Sequence, residues 1–200
     1  MSPEVFLTPP SRGRPARSLD QRRALKFKIA HEALRLFAEN GVAATSVAQI
    51  AVASGVSPRT FWRHFSSKES AIRPFLDHGL RDAVERMSVL APGAALSQGW
   101  AGEPTIDDAT VGTIVSLVRM LPSEPDLRVV WLQAHHDAAT AFVALLADHL
   151  CVSPESLEAR VASAELNAAL GAALEHFALR NVEGDSLHET IRRAVQIAVG

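Results

Sequence analysis

The sequence predicts an all-α fold, with a three-helix domain near the N-terminus and a larger helical domain after it. Alanine and leucine dominate the 200 residues, tyrosine is absent, and 48% of the side chains are hydrophobic. Valine and isoleucine are scattered along the chain and do not alternate with polar residues, which favours helices over sheets. Because the apolar fraction is large enough for a sizeable buried core, wholesale disorder is not expected.

Charge is distributed unevenly along the chain. Residues 1–68 contain 11 Lys and Arg against four Asp and Glu, a net charge of +7. The rest of the chain contains nine Lys and Arg against 18 Asp and Glu, a net charge of −9. This polarity predicts that the N-terminal part faces a polyanion. Solvated surface charge that is merely uneven is the alternative.

The chain is expected to divide into a basic arm over 1–18, a first helical domain over 19–70 and a second over 71–200. The arm is rich in proline, serine and arginine, a composition typical of mobile segments. Within it, Arg12 and Arg14 belong to an R-G-R-P sequence that resembles the core of AT-hook peptides, which lie in the minor groove of A·T-rich DNA. A disordered basic tail is the alternative.

Local signals place three short helices in the first domain. A 3.6-residue apolar period predicts the first helix over about 20–40, and the other two are joined by a tight turn. Helices so connected form a helix-turn-helix pattern. The start and stop signals are Asn40-Gly41, the S-x-x-Q capping box of Ser46 and Gln49, the turn glycine Gly55, and the cap Ser57 followed by Pro58.

The later helices are marked by prolines, glycines and caps. Ser66 and Glu69 have capping-box spacing and predict a fourth helix that extends to about Leu90. Pro74 is expected to kink this helix or to shift its start. Residues 91–108 are rich in glycine and proline and are predicted to form a long loop. Further helices are predicted over about 108–121, 124–150, 154–181 and 185–199.

The third helix, segment 57–65, combines an aromatic side with a cationic side. Phe61 and Phe65 are about one turn apart and are expected to share the inner face. Arginine donates two hydrogen bonds to guanine, and a threonine methyl contacts a thymine methyl, so the other side suits the major groove. An ordinary amphipathic helix with a solvated basic side is the alternative. The expected exposed patch consists of Arg59, Thr60, Arg63 and His64.

Groups that flank the third helix are expected to contact phosphates and fix its register. Thr45 and Ser46 place hydroxyls and free amides at the start of the second helix, where the helix dipole favours an anion. Lys68 lies just beyond the third helix, and the Trp62 indole N–H is a donor, with core packing as its alternative role. The candidate DNA-contacting residues are Arg12, Arg14, Thr45, Ser46, Ser57, Pro58, Arg59, Thr60, Trp62, Arg63, His64 and Lys68.

The run from Leu36 to Ile72 resembles the N-terminal signature of the TetR (tetracycline repressor) family, over about residues 20–75. Two positions depart from the family pattern. Trp62 stands where the family usually has a phosphate-contacting tyrosine, and Arg59 stands where many members have a small residue. The residues that carry the resemblance are Gly41, Thr45-Ser46, Ile50-Ala51, Gly55-Val56-Ser57, Phe65 and Lys68-Glu69.

The resemblance implies that residues 71–200 form an effector-binding and dimerisation domain and that the protein represses transcription. Family members dimerise through their last two helices, here about 154–181 and 185–199, and a homodimer implies a roughly palindromic double-stranded DNA operator. Core packing within one chain is the alternative use of the apolar stripes on these helices. The stripes consist of Val161, Ala164, Ala168, Ala169, Gly171, Ala172 and Ala173, and of Leu187, Ile191, Ala194, Val195 and Ala198.

A pocket for a small, hydrophobic effector is predicted in the second domain. Trp131, His135 and Phe142 lie one or two turns apart, and aromatic linings with a few polar groups suit such a molecule. Ordinary core or surface positions are the alternative for each candidate. Residues expected to approach from neighbouring helices are Met87, Arg119 and His176.

No enzymatic activity, metal or cofactor is expected. Adjacent His135 and His136 point about 100° apart on a helix, and no H-E-x-x-H, Walker, G-x-S-x-G or dinucleotide motif occurs. The chain has no signal-peptide pattern and no apolar stretch near the ~20 residues of a membrane span, so a soluble, cytoplasmic protein is expected. A helical module that binds an acidic protein is the rival to DNA binding, and salt-sensitive, sequence-selective DNA retention separates the two.

Overall fold

The chain folds into α-helices and short 3-10 turns, as a computed structural model shows for residues 18–102, 107–180 and 186–199. Within these ranges no strand occurs, which confirms the all-α prediction. The helices are α1 (Leu19–Asn40), α2 (Val47–Ser54), α3 (Pro58–Trp62), α4 (Arg73–Ser88), α5 (Asp108–Met120), α6 (Pro125–Leu150), α7 (Leu157–Arg180) and α8 (Leu187–Val199). The 3-10 turns are Glu69–Ile72 and Leu96–Trp100.

Residues 18–72, which we call the head, comprise α1, α2, α3 and the first 3-10 turn. Ser18 starts α1 with a reciprocal cap, in which its hydroxyl accepts from the Gln21 amide and the Gln21 side chain accepts from the Ser18 amide. The capping box of Ser46 and Gln49 is present at the start of α2, as predicted. These caps satisfy backbone amides that lack a partner in the first helical turn.

The start of α4 is later than the sequence predicts. Residues 69–72 form a 3-10 turn, and Pro74 lies in the first turn of α4, where its missing amide proton costs no hydrogen bond. Pro74 therefore shifts the start of the helix. The predicted Ser66–Glu69 cap is wrong by one residue, because Ser67 and Ser70 make the reciprocal pair, each amide donating to the other hydroxyl at 3.1 Å.

Segment 91–102 is more ordered than the loop predicted for 91–108. It contains the 3-10 turn Leu96–Trp100, in which Leu96 and Trp100 are buried. The imidazole Nε2 of His149, near the end of α6, lies 2.9 Å from the Ala94 carbonyl oxygen. The apolar side chains and this contact fold the segment onto the body, which we define as residues 73–199.

Two hydrophobic clusters hold the helices together. The first joins head side chains such as Ile29, Phe37 and Phe61 to Leu117 of α5 and Leu127 of α6. The second lies further along α6 and also includes side chains of α4, α7, α8 and the second 3-10 turn. Because the first cluster crosses from the head into the body, the orientation of the head depends on how α4, α5 and α6 pack.

Arg73 fixes the first turn of α4 to α6. Its guanidinium donates from Nε to Asp77 at 2.6 Å and from Nη2 to Asp137 at 2.7 Å. Gln133 donates a further hydrogen bond to Asp137 at 2.9 Å. These donors hold the pKa of Asp137 below its usual range, with the Arg73 hydrogen bond as the main cause. The body therefore contains a charge-assisted contact between α4 and α6 next to the point where the head ends.

Candidate functional site

The unit α2–turn–α3 is built from local signals. Gly55 ends α2 with φ 67° and ψ 34°, the left-handed conformation that glycine adopts without steric penalty. The Ser57 hydroxyl accepts from the Thr60 amide at 3.1 Å, and Pro58 occupies the first position of α3. Only residues 58–62 are helical, so the predicted helix over 57–65 ends earlier than expected. The helix is short, but both of its ends are defined.

Two phenylalanines anchor α3 to the head, as predicted. Phe61 has no exposed surface, and Phe65 is 7% exposed, with their ring centroids 5.1 Å apart. Both belong to the first hydrophobic cluster, which also contains Ile50, while Val56 packs against it. Burial of these rings leaves the opposite side of α3 in solvent.

The outward side of α3 presents two arginines and an indole. Arg59 and Arg63 are exposed, and within the described ranges no carboxylate pairs with either guanidinium. Trp62 is 53% exposed, so the alternative of core packing for Trp62 is wrong. Its ring meets that of Phe61 edge-on, with the two ring centroids 5.4 Å apart. The Thr60 hydroxyl lies 3.0 Å from that of Ser57. This surface offers hydrogen-bond donors of the kinds that contact bases and phosphates.

His64 does not join the exposed patch that the sequence predicts. Its side chain is partly buried and, with Phe65, lines a polar cleft of about 690 Å³ between α1 and α4. His64 follows Phe61 by three residues, about 60° away around a helix, so its ring lies beside the buried face and not on the outer one. The outer patch therefore consists of Arg59, Arg63 and Trp62, with Thr60 half-buried beside them.

Thr45 and Lys68 have internal partners in place of the phosphate contacts predicted for their side chains. Thr45 is 1% exposed, and its hydroxyl lies 2.8 Å from the Gly41 carbonyl oxygen and 3.2 Å from that of Leu36. The Lys68 ammonium donates to the carbonyls of Val42, at 2.5 Å, and Thr45, at 3.0 Å. Both side chains hold the loop between α1 and α2. This loop precedes α2 and connects it to α1.

Ser46 keeps the surface position that the sequence assigns to it. Its side chain is exposed, and its hydroxyl is engaged with Gln49 as the cap of α2. Ser57 and Pro58 are also exposed, at the start of α3. Arg12 and Arg14, the arm residues predicted to enter the minor groove, lie outside the described residues.

An apolar cavity of about 110 Å³ lies between the helices of the body. Trp131, His135 and Phe142 line it, as the sequence predicts. Two members of its wall that the sequence does not indicate are Asn167 of α7 and Trp100 of the second 3-10 turn. The sequence signal for Asn167 is that it is a polar residue within the alanine-rich run of α7. Trp100 lies in the segment that the sequence predicts to be a loop.

The His135 ring is fixed on three sides. Its Nδ1 lies 3.1 Å from Asn167 Oδ1, and its centroid is 4.4 Å from that of Trp131. The third neighbour is Gly171, where an added Cβ would come within 3.1 Å of His135 Cε1. Burial lowers the pKa of His135, and the hydrogen bond to Asn167 offsets only part of that effect. The ring is therefore neutral at pH 7.

Three other pocket predictions are wrong. Met87 is buried in the second hydrophobic cluster and does not line the cavity. Arg119 is exposed, and its Nε donates to the Ala178 carbonyl at 2.7 Å, which ties α5 to α7. His176 is exposed on α7 and lies away from the cavity. Helical spacing gave the correct face of α6 but not the positions of neighbouring helices.

The stripe of small and apolar residues on α7 divides between two faces. Ala169 and Ala173 are buried inside the chain, whereas the opposite face is exposed and mostly apolar, with Glu175 as a charged member. On α8, Leu187 and Val195 are buried, so these members of the predicted stripe serve the core of the chain itself, whereas Ala198 is exposed. The apolar residues on the exposed face of α7 are Leu157, Val161, Ala164, Ala168, Ala172 and Leu179.

Among the described residues, no helix is both long and apolar enough to cross a bilayer. The His, Cys, Asp and Glu side chains of the same residues form no group of three or more that could hold a metal ion.

Comparison with known proteins matches the head to one family. The family model described as "Bacterial regulatory proteins, tetR family" matches residues 29–72. The HTH-type transcriptional regulator TcmR of Streptomyces glaucescens is 43% identical over 87 residues. That match covers 42% of this chain and 37% of TcmR, so the chain spans well under two thirds of this relative.

Solved structures extend the likeness to the fold of the whole chain. A TetR-family regulator from Syntrophomonas wolfei aligns with a TM-score of 0.60 and 17% identity, over 90% of this chain and 97% of that one. FadR of Thermus thermophilus, a TetR-family transcriptional repressor in complex with lauroyl-CoA, aligns with a TM-score of 0.50 and 19% identity, over 86% and 92%. At such identities the likeness concerns the fold alone.

Proposed function

We propose that the chain is a DNA-binding transcriptional regulator of the TetR family and that it acts as a repressor. It binds a palindromic operator as a homodimer through α3 and leaves DNA when a small, apolar effector occupies the body. The observation that carries the DNA-binding part is the exposed pair Arg59 and Arg63, held outward by buried Phe61 and Phe65.

The arginines of α3 are suited to reading bases because they are not engaged elsewhere in the described structure. Arg35 of α1 differs in this respect, since its guanidinium is held by Glu32 and Glu39, at 3.0 and 2.7 Å. A guanidinium that pairs with two carboxylates has few donors left for guanine. Arg59 and Arg63 keep all five donors available for O6 and N7 acceptors in the major groove.

Selection of bound DNA from a random library, followed by affinity measurements on variants, tests this assignment. Arg59→Ala is expected to relax base preference at one position of each half-site and to cost about 1–3 kcal/mol if the contact is bidentate. Arg63→Ala is expected to weaken DNA binding, because it removes a contact with a neighbouring base or phosphate. The matched control Arg35→Ala should leave affinity and preference unchanged. Equal effects of all three variants, or no retention of duplex DNA at low salt, would refute the proposal.

The exposed face of α7 supports the homodimer. Its apolar side chains lie within about 80° of one another around the helix, at spacings of three, four or seven residues. Leu157 is 72% exposed and Leu179 is 59% exposed in the single chain. Because small residues between them allow a second helix to approach closely, a copy of this chain related by two-fold symmetry can cover the face.

The cavity supports effector control because much of its wall belongs to α4. A molecule that binds preferentially to one position of α4 shifts the population toward one orientation of the two heads. The two half-sites of an operator fit only one distance between the two α3 helices. The FadR relative binds lauroyl-CoA, a ligand that carries phosphates. The described lining of this cavity contains no lysine or arginine that could pair with a phosphate, so the proposed effector is not an anion. The α4 residues in the wall are Phe75, Leu76, Gly79, Leu80, Asp82 and Ala83.

A further inference from the structure

The cavity of the body contains one polar anchor in an otherwise apolar or aromatic wall. Besides the anchor pair His135 and Asn167, the polar member of its described lining is Asp82, which is already paired. We propose that the cavity selects an uncharged, mostly apolar molecule that carries one hydroxyl group, and that the hydroxyl donates a hydrogen bond to His135 Nε2, whose ring Asn167 holds in place. This inference rests on the proposed effector role of the cavity and specifies the chemical class of the effector.

The hydrogen-bonding pattern of the anchor pair favours a hydroxyl group. Asn167 Oδ1 accepts from His135 Nδ1, so the proton of the neutral ring resides on Nδ1 and Nε2 remains an acceptor. A hydroxyl group can donate its hydrogen to this acceptor. A ketone or an ether has no hydrogen to donate to Nε2.

The charges around the cavity exclude an anion. The Asp82 carboxylate accepts from Arg86 Nε at 2.8 Å, and Arg86 also donates to the Gly99 carbonyl at 3.2 Å. The Arg86 guanidinium is 9% exposed and does not line the cavity. His135 is uncharged because of its burial. A carboxylate or phosphate would thus lose its hydration near Asp82 without gaining a cation, which is costly in an apolar site.

The anchor is held in place before any ligand binds. The His135 ring packs on Trp131 on one side and faces the bare Cα of Gly171 on another. A methyl group at position 171 would approach Cε1 to 3.1 Å, closer than ordinary van der Waals contact, and would displace the ring by a few tenths of an ångström. Gly171 therefore sets the position of the acceptor nitrogen, and a preorganised acceptor adds affinity because no ordering is required on binding.

Titration calorimetry of the full chain with four probes of similar shape tests the proposal. The probes are 4-propylphenol, propylbenzene, 4-propylbenzoate and 4-propylbenzylammonium. We expect 4-propylphenol to bind about two- to tenfold more tightly than propylbenzene, the effect of one hydrogen bond. The benzoate and the ammonium probes are expected to bind at least about tenfold more weakly than the phenol.

Two isosteric variants connect the preference to the anchor. Asn167→Leu and His135→Phe are expected to abolish the advantage of 4-propylphenol while retaining propylbenzene binding. His136→Phe, on the exposed neighbour in α6, is the matched control and should bind all four probes as the wild type does. Circular dichroism verifies folding, and either variant alone is sufficient for the test if the other fails to fold.

The outcomes separate this inference from the proposed function. Tight binding of the benzoate, equal binding of phenol and propylbenzene, or a phenol preference that persists in both variants would overturn it. Operator retention is measured on the same samples without any probe. If that retention fails, the proposed function is wrong, while the ranking of the four probes still decides the chemistry of the cavity.

Discussion

The head and the body of this protein carry their functional residues in opposite ways. In the head, α3 is five residues long and presents Arg59 and Arg63 to solvent, close together in sequence. In the body, the functional candidates line an internal cavity whose wall comes from α4, α5, α6, α7, α8 and the second 3-10 turn. A surface site can thus be encoded in a few consecutive residues, whereas an internal site depends on how distant helices meet.

The comparison also extends to helix ends. Side chains of Ser18, Ser46 and Ser57 cap the three helices of the head. In the body, Asp107, Ser156 and Ser186 cap α5, α7 and α8, whereas α4 and α6 begin without a side-chain cap. Every helix of the head is therefore capped by a local hydrogen bond, while α4 and α6 depend more on packing. The following predictions test this division, from the largest expected effect to the smallest.

Phe61→Ala should destabilise the head most. Phe61 is fully buried beneath the outer patch of α3, and removal of its ring leaves a cavity that costs about 3–5 kcal/mol. Urea unfolding followed by circular dichroism measures this loss. Trp62→Ala is the matched control, because Trp62 is 53% exposed, and it should cost clearly less stability than Phe61→Ala while weakening DNA binding. Equal losses of stability would contradict the division between inner and outer faces.

Leu179→Glu should separate the dimer without unfolding the body. Leu179 is exposed on the apolar face of α7, and a carboxylate there would be buried without a partner in the proposed interface. We expect the dimer dissociation constant to rise at least about a hundredfold, which corresponds to about 2.7 kcal/mol. Sedimentation velocity measures the change. Val129→Glu, at an exposed position of α6, should leave the dimer intact, and dissociation by both variants alike would argue against the α7 interface.

Lys68→Met tests the internal role that the structure gives to this lysine. Loss of the ammonium removes two hydrogen bonds to carbonyls in the α1–α2 loop and is expected to cost about 1.5–3 kcal/mol of stability. The control Lys28→Met, at an exposed lysine of α1, should have little effect on stability. A phosphate contact would instead lower the salt dependence of DNA binding by about one unit while stability stays unchanged.

The smallest effect is expected from the pH dependence of His135. Its pKa is lower in the folded chain than the ~6.5 of the unfolded chain, because burial disfavours the charged ring. Below about pH 6.5 the unfolded state takes up a proton that the folded state does not, so stability falls as the pH decreases, and above that pH the effect vanishes. As the pH decreases below about 6.5, the free energy of unfolding should decline less in His135→Gln than in the wild type. His136→Gln should show the same pH dependence as the wild type.

Much of the head could be predicted from the sequence because its determinants are local. The capping box at Ser46, the glycine turn and the buried pair Phe61 and Phe65 all appear where short-range patterns place them. The differences between the predicted and the observed surroundings of His64, Thr45 and Lys68 have one cause. A polar residue type indicates that a hydrogen bond is made, but the chain path decides whether its partner is a phosphate or a carbonyl in the neighbouring loop.

The sequence by itself determined the helical fold, the outward arginines of α3 and the side of α6 that carries Trp131, His135 and Phe142. These depend on helical periodicity and caps, which act over a few residues. Only the tertiary structure decided that Asn167 meets His135 and that Arg119 binds a carbonyl of α7. The relative position of two helices depends on side-chain volumes along their whole contact, and no local pattern contains that information.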